Sequence, residues 1–204
     1  MRIWFKDPTD PNLGIINPSP IGFCGGTLIA SKYVLTAAHC TGHVPVGENG
    51  KVEKIFEPQD LKVSIGDHKI RETQDRTLKR FIDVNAIIRH PDFNNSNYFF
   101  GHDIAILKLA EEVDLKRFRP ACMSLESDGG KFLGKTVTVA GWGLLSDKRI
   151  PDEPYEADFT VTPDEFCKYA VVFPSVMCVG KDDPTKRSAP VLHLENLFLS
   201  AESA

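Results

Sequence analysis

The sequence predicts an all-β protein built from short antiparallel strands. Apolar and polar residues alternate with period two in residues 61–65 and 135–139, as they do in strands that bury one face. Short apolar pairs at 28–29 and 34–35 are separated by the turn-forming residues Ser31 and Lys32. A chain of 204 residues can form one sandwich or barrel, or two small lobes.

Further elements are expected along the chain. The remaining strands are predicted at 81–84 with 86–88, at 102–109 and at 156–161. Residues 1–20 are rich in Pro, Asn and Asp, and they predict an irregular lead-in with one strand around Ile15 and Ile16. Residues 41–60 and 67–77 predict surface loops, and Thr162 followed by Pro163 predicts the start of a helix.

His39 is the first candidate for chemistry. It lies in Thr-Ala-Ala-His-Cys at 36–40, where an apolar strand ends, and Cys-Gly-Gly-Thr-Leu-Ile at 24–29 precedes it. Cys24 and Cys40 flank the strand pair at 28–35 as a crosslink would, and a histidine beside such a crosslink has little freedom to move, which a general base requires. A histidine picked at random among the six is more often structural. The two strings together nevertheless resemble the histidine box of trypsin- and chymotrypsin-like serine proteases, which implies that His39 is catalytic.

Asp103 stands at the start of His-Asp-Ile-Ala-Ile-Leu-Lys-Leu at 102–109. A buried, unpaired carboxylate costs several kcal/mol, so we expect it to have a cationic or N–H partner. An Asp at the start of a strand is also a common turn initiator. The string is similar to the acid motif of the same family, and the resemblance implies that Asp103 orients His39 in a Ser-His-Asp triad. His102 is interpreted as a neighbour without a role.

The resemblance implies a double antiparallel β-barrel. Residues 1–186 are expected to form a partial trypsin-like serine protease domain, with a complete first barrel at about 21–115 and an incomplete second barrel at 120–186. The charged segment 110–122 would cross between them. Residues 187–204 are expected to be a tail foreign to the family.

Five cysteines indicate an oxidising compartment. Cys24 with Cys40, and Cys167 with Cys178, are close pairs in strand-like sequence and suggest two disulfides. Cys122 is left over, which suggests a partner outside this chain. In the family a cysteine at this point often ties the domain to its activation peptide. Zinc is the competing interpretation of the cysteines, but no Cys-x-x-Cys spacing supports it.

The loop at 67–77 holds weak candidates for a calcium site. Relatives of this family sometimes bind calcium in the equivalent loop, and Asp67, Glu72 and Asp75 could supply oxygen ligands. A solvated loop of mixed charge explains the same residues. We therefore expect no metal and no cofactor.

The resemblance ends at Lys186, ahead of the specificity pocket and the nucleophile motif Gly-Asp-Ser-Gly-Gly of the family. Neither that motif nor Gly-x-Ser-x-Gly occurs in the 204 residues. Ser188, Ser200 and Ser203 lack the flanking glycines that give a nucleophile its sharp turn and its oxyanion hole. We expect a domain truncated before the catalytic serine and therefore an inactive pseudoenzyme.

Three hypotheses of function remain open. The chain is a fragment or variant of a trypsin-like serine endopeptidase, a non-catalytic homologue that binds a protein partner, or a truncated splice or gene-model product without a function of its own. Substrate preference cannot be predicted, because the pocket residues of the family follow the point where the resemblance ends.

The overall composition limits the kinds of partner that are expected. The net charge is −4 with no basic block, which argues against nucleic acid, and no apolar run is long enough to span a membrane. A protein substrate or protein partner is expected. Cysteine usage and the family indicate secretion, although the N-terminal residues do not resemble a signal peptide.

Overall fold

The structure is a computed structural model that describes residues 1–5, 24–42, 55–69, 79–94, 101–124, 129–143, 145, 149–163 and 177–180. The regular elements in these ranges are strands and short 3₁₀ helices. The predicted all-β class is therefore confirmed. A search of the same ranges for a helix with the length and apolar character of a membrane span found none.

The first sheet contains seven antiparallel strands and curls into a nearly closed barrel. Its strands are β1 (Arg2–Phe5), β2 (Cys24–Gly25), β3 (Thr27–Ala30), β4 (Tyr33–Thr36), β5 (Leu61–Ile65), β6 (Arg80–Arg89) and β7 (Ala105–Leu109). They follow the order β2-β1-β5-β6-β7-β4-β3. The edge strands β2 and β3 are consecutive parts of one segment, so the two edges of the sheet meet at Gly26.

Close packing at this meeting point requires glycine. A Cβ atom on Gly26 would lie 2.7 Å from Cγ1 of Val34, which is fully buried. The Gly26 N–H donates to the carbonyl of Met1 at 3.1 Å. Across the closure, Oγ1 of Thr36 donates to the carbonyl of Gly25 at 2.8 Å. Close approach of the backbone at Gly26 and these two hydrogen bonds hold the two edges of the nearly closed barrel together.

Alternating side chains of the strands fill the barrel. β7 alternates buried and half-buried residues along its length, as a strand with one inward face should. Residues no more than 1% exposed form the centre of the core: Ile3, Val34, Leu61, Val63, Ile82, Leu107 and Leu109. The register of β6 against β7 shifts between Val84 and Ala86, which is where the sequence predicts a gap between two strand segments.

Residues 2–5 correct one expectation. They form β1, which lies between β2 and β5, so an irregular lead-in is wrong for these residues. Ile3 is fully buried, and the Trp4 indole N–H donates to Oγ of Ser64 at 2.9 Å. Residues of the first barrel therefore precede the expected boundary at 21. Ile15 and Ile16 lie outside the described residues.

A second sheet follows in the chain. Its described strands are β8 (Thr136–Gly141), β9 (Tyr155–Val161) and β10 (Val179–Gly180), in the order β10-β9-β8. β8 and β9 fall on the strands predicted at 135–139 and 156–161, whereas no strand is predicted for the residues of β10. The helix predicted to start at Thr162 continues into residues outside the described ranges.

A buried charge network stabilises the end of the first barrel next to β1. Asp67 is 1% exposed and pairs with Nη2 of Arg2 at 3.0 Å and with Nζ of Lys79 at 2.9 Å. Ser64 also donates a hydrogen bond to this carboxylate. Burial alone would raise the pKa of Asp67, but the hydrogen bonds from Arg2 and Ser64 and the positive charge beside it lower that pKa below its usual value.

Candidate active site

Two neighbouring strands bring His39 and Asp103 to the same end of the barrel. β4 and β7 are antiparallel, and Thr36 at the end of β4 pairs with Ala105 at the start of β7. The chain therefore leaves β4 and enters β7 at the same end of the barrel. His39, three residues after Thr36, therefore meets Asp103, two residues before Ala105.

Asp103 holds His39 at two points. Its Oδ2 lies 2.5 Å from Nδ1 of the His39 ring, and its Oδ1 accepts a hydrogen bond from the His39 backbone N–H at 2.8 Å. The two side chains are 19% and 14% exposed, so the pair is largely shielded but still reachable from solvent. Because the carboxylate accepts at Nδ1, the proton of a neutral ring sits there and Nε2 carries the lone pair.

A short crosslinked turn carries His39. Residues Ala38–Thr41 form a 3₁₀ helix in which the residues flanking His39 are buried. Cys24 and Cys40 form a disulfide with Cα atoms 6.0 Å apart, so this predicted pair is confirmed. Sγ of Cys40 lies 3.6 Å from Nε2 of His39. The crosslink therefore restrains the turn directly beside the ring.

Arg89 supports the same turn from β6. Its Nε donates to Oγ1 of Thr41 at 2.8 Å, and its Nη2 donates to the carbonyls of Thr41 at 2.6 Å and Phe56 at 2.8 Å. Burial lowers the pKa of Arg89, and the charge of Glu57 opposes that effect. The sequence pattern does not single out this residue. The sequence offers only an arginine at the end of an apolar strand, and this does not predict the three oxygen atoms to which Arg89 donates.

The turn before Asp103 has an unusual backbone. Gly101 and His102 both have positive φ, at 87° and 58°. For His102 this is the left-handed region that residues with a side chain rarely adopt, and such strain is concentrated at functional sites. The Ile104 N–H donates to the His102 carbonyl at 2.8 Å, which closes the turn. His102 therefore shapes the backbone that presents Asp103, and it is more than a neighbour in sequence.

The structure places the other predicted residues as follows. Cys178 is disulfide-bonded, and its predicted partner Cys167 lies outside the described residues. Cys122 is exposed and is a free cysteine. The carboxylate of Asp67 is engaged by two cations, which favours a structural role over calcium ligation. The other calcium candidates, Glu72 and Asp75, are likewise outside the described part of the chain.

Comparison with known families decides the ancestry of this pair. The profile of the family described as Trypsin matches residues 13–189. The chain belongs to the trypsin family. Its membership confirms the resemblance carried by the motifs around His39 and Asp103, and the nearly closed first barrel agrees with the fold of that family.

Several curated proteins are similar to this trypsin-family chain. The venom protease of Bombus pensylvanicus is 32% identical over 168 residues, which are 79% of this chain and 63% of that protein. The CLIP domain-containing serine protease B15 of Anopheles gambiae is 30% identical over 166 residues, 77% of this chain and 44% of that protein. The inactive serine protease PAMR1 of Homo sapiens is 35% identical over 130 residues, 63% and 17%. The chain spans less than two thirds of the length of each.

Proposed function

We propose that His39 and Asp103 are the general base and the orienting acid of a serine-endopeptidase type of mechanism. The observation that carries this proposal is the two-point hold of Asp103 on the ring and the backbone N–H of His39. Membership in the trypsin family supports it.

The geometry defines the chemistry of the pair. With its proton at Nδ1 directed to Asp103, the ring of His39 can accept a proton at Nε2 from a hydroxyl group. The imidazolium that forms is stabilised by the carboxylate 2.5 Å away. The backbone bond to Oδ1 and the Cys24–Cys40 disulfide fix the turn, and the contact between Nδ1 and Oδ2 orients the ring, so little reorganisation is needed when the proton arrives.

We further propose that a polypeptide consisting of these 204 residues does not hydrolyse peptides. No serine in the sequence has the flanking glycines of a nucleophile elbow, so the base has no activated hydroxyl to deprotonate within the chain. Catalysis by a triad depends on its members acting together, and a base without its nucleophile contributes little.

Hydrolysis of reporter peptides ending in Arg, Lys or Phe tests the second proposal. Purified 1–204 protein should give a rate equal to that of buffer, and the His39→Ala variant should give the same rate. His68→Ala is a matched control, because His68 is an exposed histidine of the same barrel. Turnover that His39→Ala abolishes and His68→Ala preserves would refute the proposed inactivity while supporting the proposed roles of the pair.

Proton NMR tests the pair independently of turnover. A proton held between Nδ1 and a carboxylate resonates at low field and exchanges slowly. This signal should be present in the 1–204 protein, and it should be lost in Asp103→Ala and in His39→Gln. If it persists in Asp103→Ala, the proton belongs to another group and the proposed assignment of roles is wrong.

A second candidate function is that of a non-catalytic homologue that binds a protein partner. It is favoured by the similarity to a relative whose name describes it as inactive. The two functions separate on one variant. Turnover that is lost in His39→Ala would support the catalytic role, whereas absent turnover together with binding of a co-purifying partner that is unchanged in His39→Ala would support binding alone.

An extracellular location is part of this proposal. The Cys24–Cys40 disulfide supports it, because structural disulfides persist in oxidising compartments. We propose that the exposed thiol of Cys122 pairs with a cysteine of an activation peptide or another chain. Mass spectrometry of non-reduced protein from its source should show Cys122 in a mixed disulfide. A free thiol at Cys122 in that material would contradict the pairing.

A further inference from the structure

Two consecutive residues at the end of β6 contact the two segments that form the candidate pair. Arg89 is the last residue of β6, and its guanidinium donates to oxygens of the turn that carries His39. The next residue is His90, and its N–H donates to the carbonyl of Ile104 at 3.0 Å, directly after Asp103. The end of β6 therefore bonds to the segment of the histidine and also to the segment of the acid.

The ring of His90 lies against the residue that precedes Asp103. The rings of His90 and His102 are stacked, with centroids 4.6 Å apart and planes inclined by 19°. The Asp92 N–H donates to Nδ1 of His90 at 3.2 Å. The Phe93 N–H donates to the His90 carbonyl at 3.0 Å, which closes the turn that holds this donor. The His90 ring is therefore oriented by its own turn, and it offers a flat surface to His102.

The backbone beneath the His102 ring is strained. His102 has a φ of 58°, in the left-handed region that is unfavourable for a residue with a side chain. Such a conformation persists only where the surrounding contacts over-determine it. The Ile104 N–H donates to the His102 carbonyl, and the stack with His90 holds the side chain of the same residue. Relaxation of this φ would turn the peptide that leads to Asp103 and would move its carboxylate away from His39.

We propose that His90 is a positioning residue of the pair and acts through His102. The stack keeps His102 in its left-handed conformation. This conformation directs Oδ1 of Asp103 to the His39 N–H at 2.8 Å and Oδ2 to the ring. An imidazole suits this task because it combines a flat face with a nitrogen that accepts a hydrogen bond from its own turn. The catalytic value of the positioning rests on the base and acid roles proposed for His39 and Asp103.

Amide hydrogen exchange of the 1–204 protein, followed by NMR, tests the proposal. The His39 N–H is bonded to Asp103 whatever chemistry the pair performs, so its protection reports the position of the carboxylate. His90→Ala removes the stacked ring, and it should speed exchange of this N–H by about two- to tenfold, the range that an aromatic pair is worth. The low-field proton of the His39 ring should exchange faster by a similar factor. His90 is 36% exposed, so its truncation leaves the core of the barrel intact.

A matched control separates positioning from general stability. Phe81 lies near the other end of β6, is 39% exposed, and packs edge-on against Trp4 with ring centroids 5.8 Å apart. Phe81→Ala thus removes a comparable ring from the same strand. Because Phe81 does not contact the segment of Asp103 through this ring pair, the variant should leave exchange of the His39 N–H unchanged.

Further variants test whether the effect passes through His102. His90→Phe keeps a flat ring and should restore most of the protection that His90→Ala loses. His102→Asn removes the other ring but keeps a residue that tolerates positive φ. The double variant His90→Ala with His102→Asn should speed exchange no more than either single change, because both remove the same contact. Circular dichroism confirms that each variant is folded, and if His102→Asn does not fold, the variants at His90 and Phe81 decide.

Several results would overturn the proposal. These are unchanged exchange of the His39 N–H in His90→Ala, an equal acceleration in Phe81→Ala, and an acceleration in the double variant that equals the product of the two single accelerations. The proposed roles of the pair fail separately. If the wild-type protein shows no low-field proton while the His39 N–H responds to His90→Ala as expected, the assignment of base and acid is wrong and the positioning of Asp103 by His90 stands.

Discussion

Replacing Asp67 with asparagine removes a buried negative charge that lies between the cations of Arg2 and Lys79. Asp67 is 1% exposed and Arg2 is 3% exposed, whereas Lys79 is 22% exposed. In the variant, Lys79 can turn towards water, but Arg2 would remain as a buried guanidinium without its carboxylate. Breaking a buried pair in this way costs about 3–5 kcal/mol of unfolding free energy. The loss should appear in the unfolding free energy of the first barrel, because Arg2 lies in β1 and Asp67 follows β5, and β1 and β5 are paired strands of that barrel.

Urea unfolding followed by tryptophan fluorescence measures this loss, since Trp4 is in β1 beside the network. Glu153→Gln is a matched control. Glu153 pairs with Lys69 at 3.5 Å but is 53% exposed, so its loss should cost no more than about 1 kcal/mol. The double variant Arg2→Met with Asp67→Leu should recover much of the stability, because it removes both buried charges. A cost below about 1 kcal/mol for Asp67→Asn would refute the reasoning that Arg2 cannot reach water.

The same residue predicts an acid dependence. The pKa of Asp67 is lowered from its ordinary value of 3.8, so the folded state binds this proton less readily than the unfolded state. Its contribution to stability is complete above about pH 4 and is lost as the pH falls through the lowered pKa. The difference in unfolding free energy between the wild type and Asp67→Asn should therefore shrink as the pH falls below about 4. A difference that is constant down to pH 2 would show that the carboxylate charge is not its source.

The remaining predictions concern the turn that carries His39. Replacing Cys24 and Cys40 together by alanine removes a crosslink between residues separated by 16 positions, and it should lower the free energy of urea unfolding by about 3 kcal/mol. The control Cys122→Ser should change that free energy by less than about 0.5 kcal/mol. Equal costs for the two changes would contradict a stabilising role of the disulfide. Arg89→Ala leaves two buried carbonyls without their donor and should cost about 1–3 kcal/mol. It should also speed exchange of the low-field proton of His39, and unaltered exchange would argue against support of the turn by Arg89.

The local sequence pattern was sufficient to predict most strands of the first barrel. Leu61–Ile65 alternates clearly and forms β5, and the turn at Ser31 and Lys32 joins β3 to β4 as predicted. β1 could not be predicted in this way. Arg2–Phe5 has only four residues, and its arginine is 3% exposed because Asp67 neutralises it. The partner is 65 residues away in sequence, so no local pattern announces a buried strand there.

At the candidate site, too, local sequence pattern predicts some residues and not others. His39 and Asp103 were found because each ends or begins a strand within a motif typical of the family. Arg89 and the turn at His102 were missed, since their roles depend on backbone carbonyls and on φ, and neither is encoded in residue type at one position. Gly101 is the single local signal for that turn, and a lone glycine is common to turns and loops of many types.

The closure of the barrel and the placement of His39 depend on the same few residues. Cys24 lies in β2, the edge strand that meets β3 at Gly26. Its disulfide with Cys40 joins this edge strand to the turn that carries His39. Thr36 bonds to the carbonyl of Gly25 across the closure, and it also pairs with Ala105, which sets the distance between His39 and Asp103. Closing the sheet therefore fixes both sides of the pair at once. This explains why a chain can keep a well-formed His39–Asp103 pair for as long as its first barrel folds, whether or not a nucleophile is supplied to it.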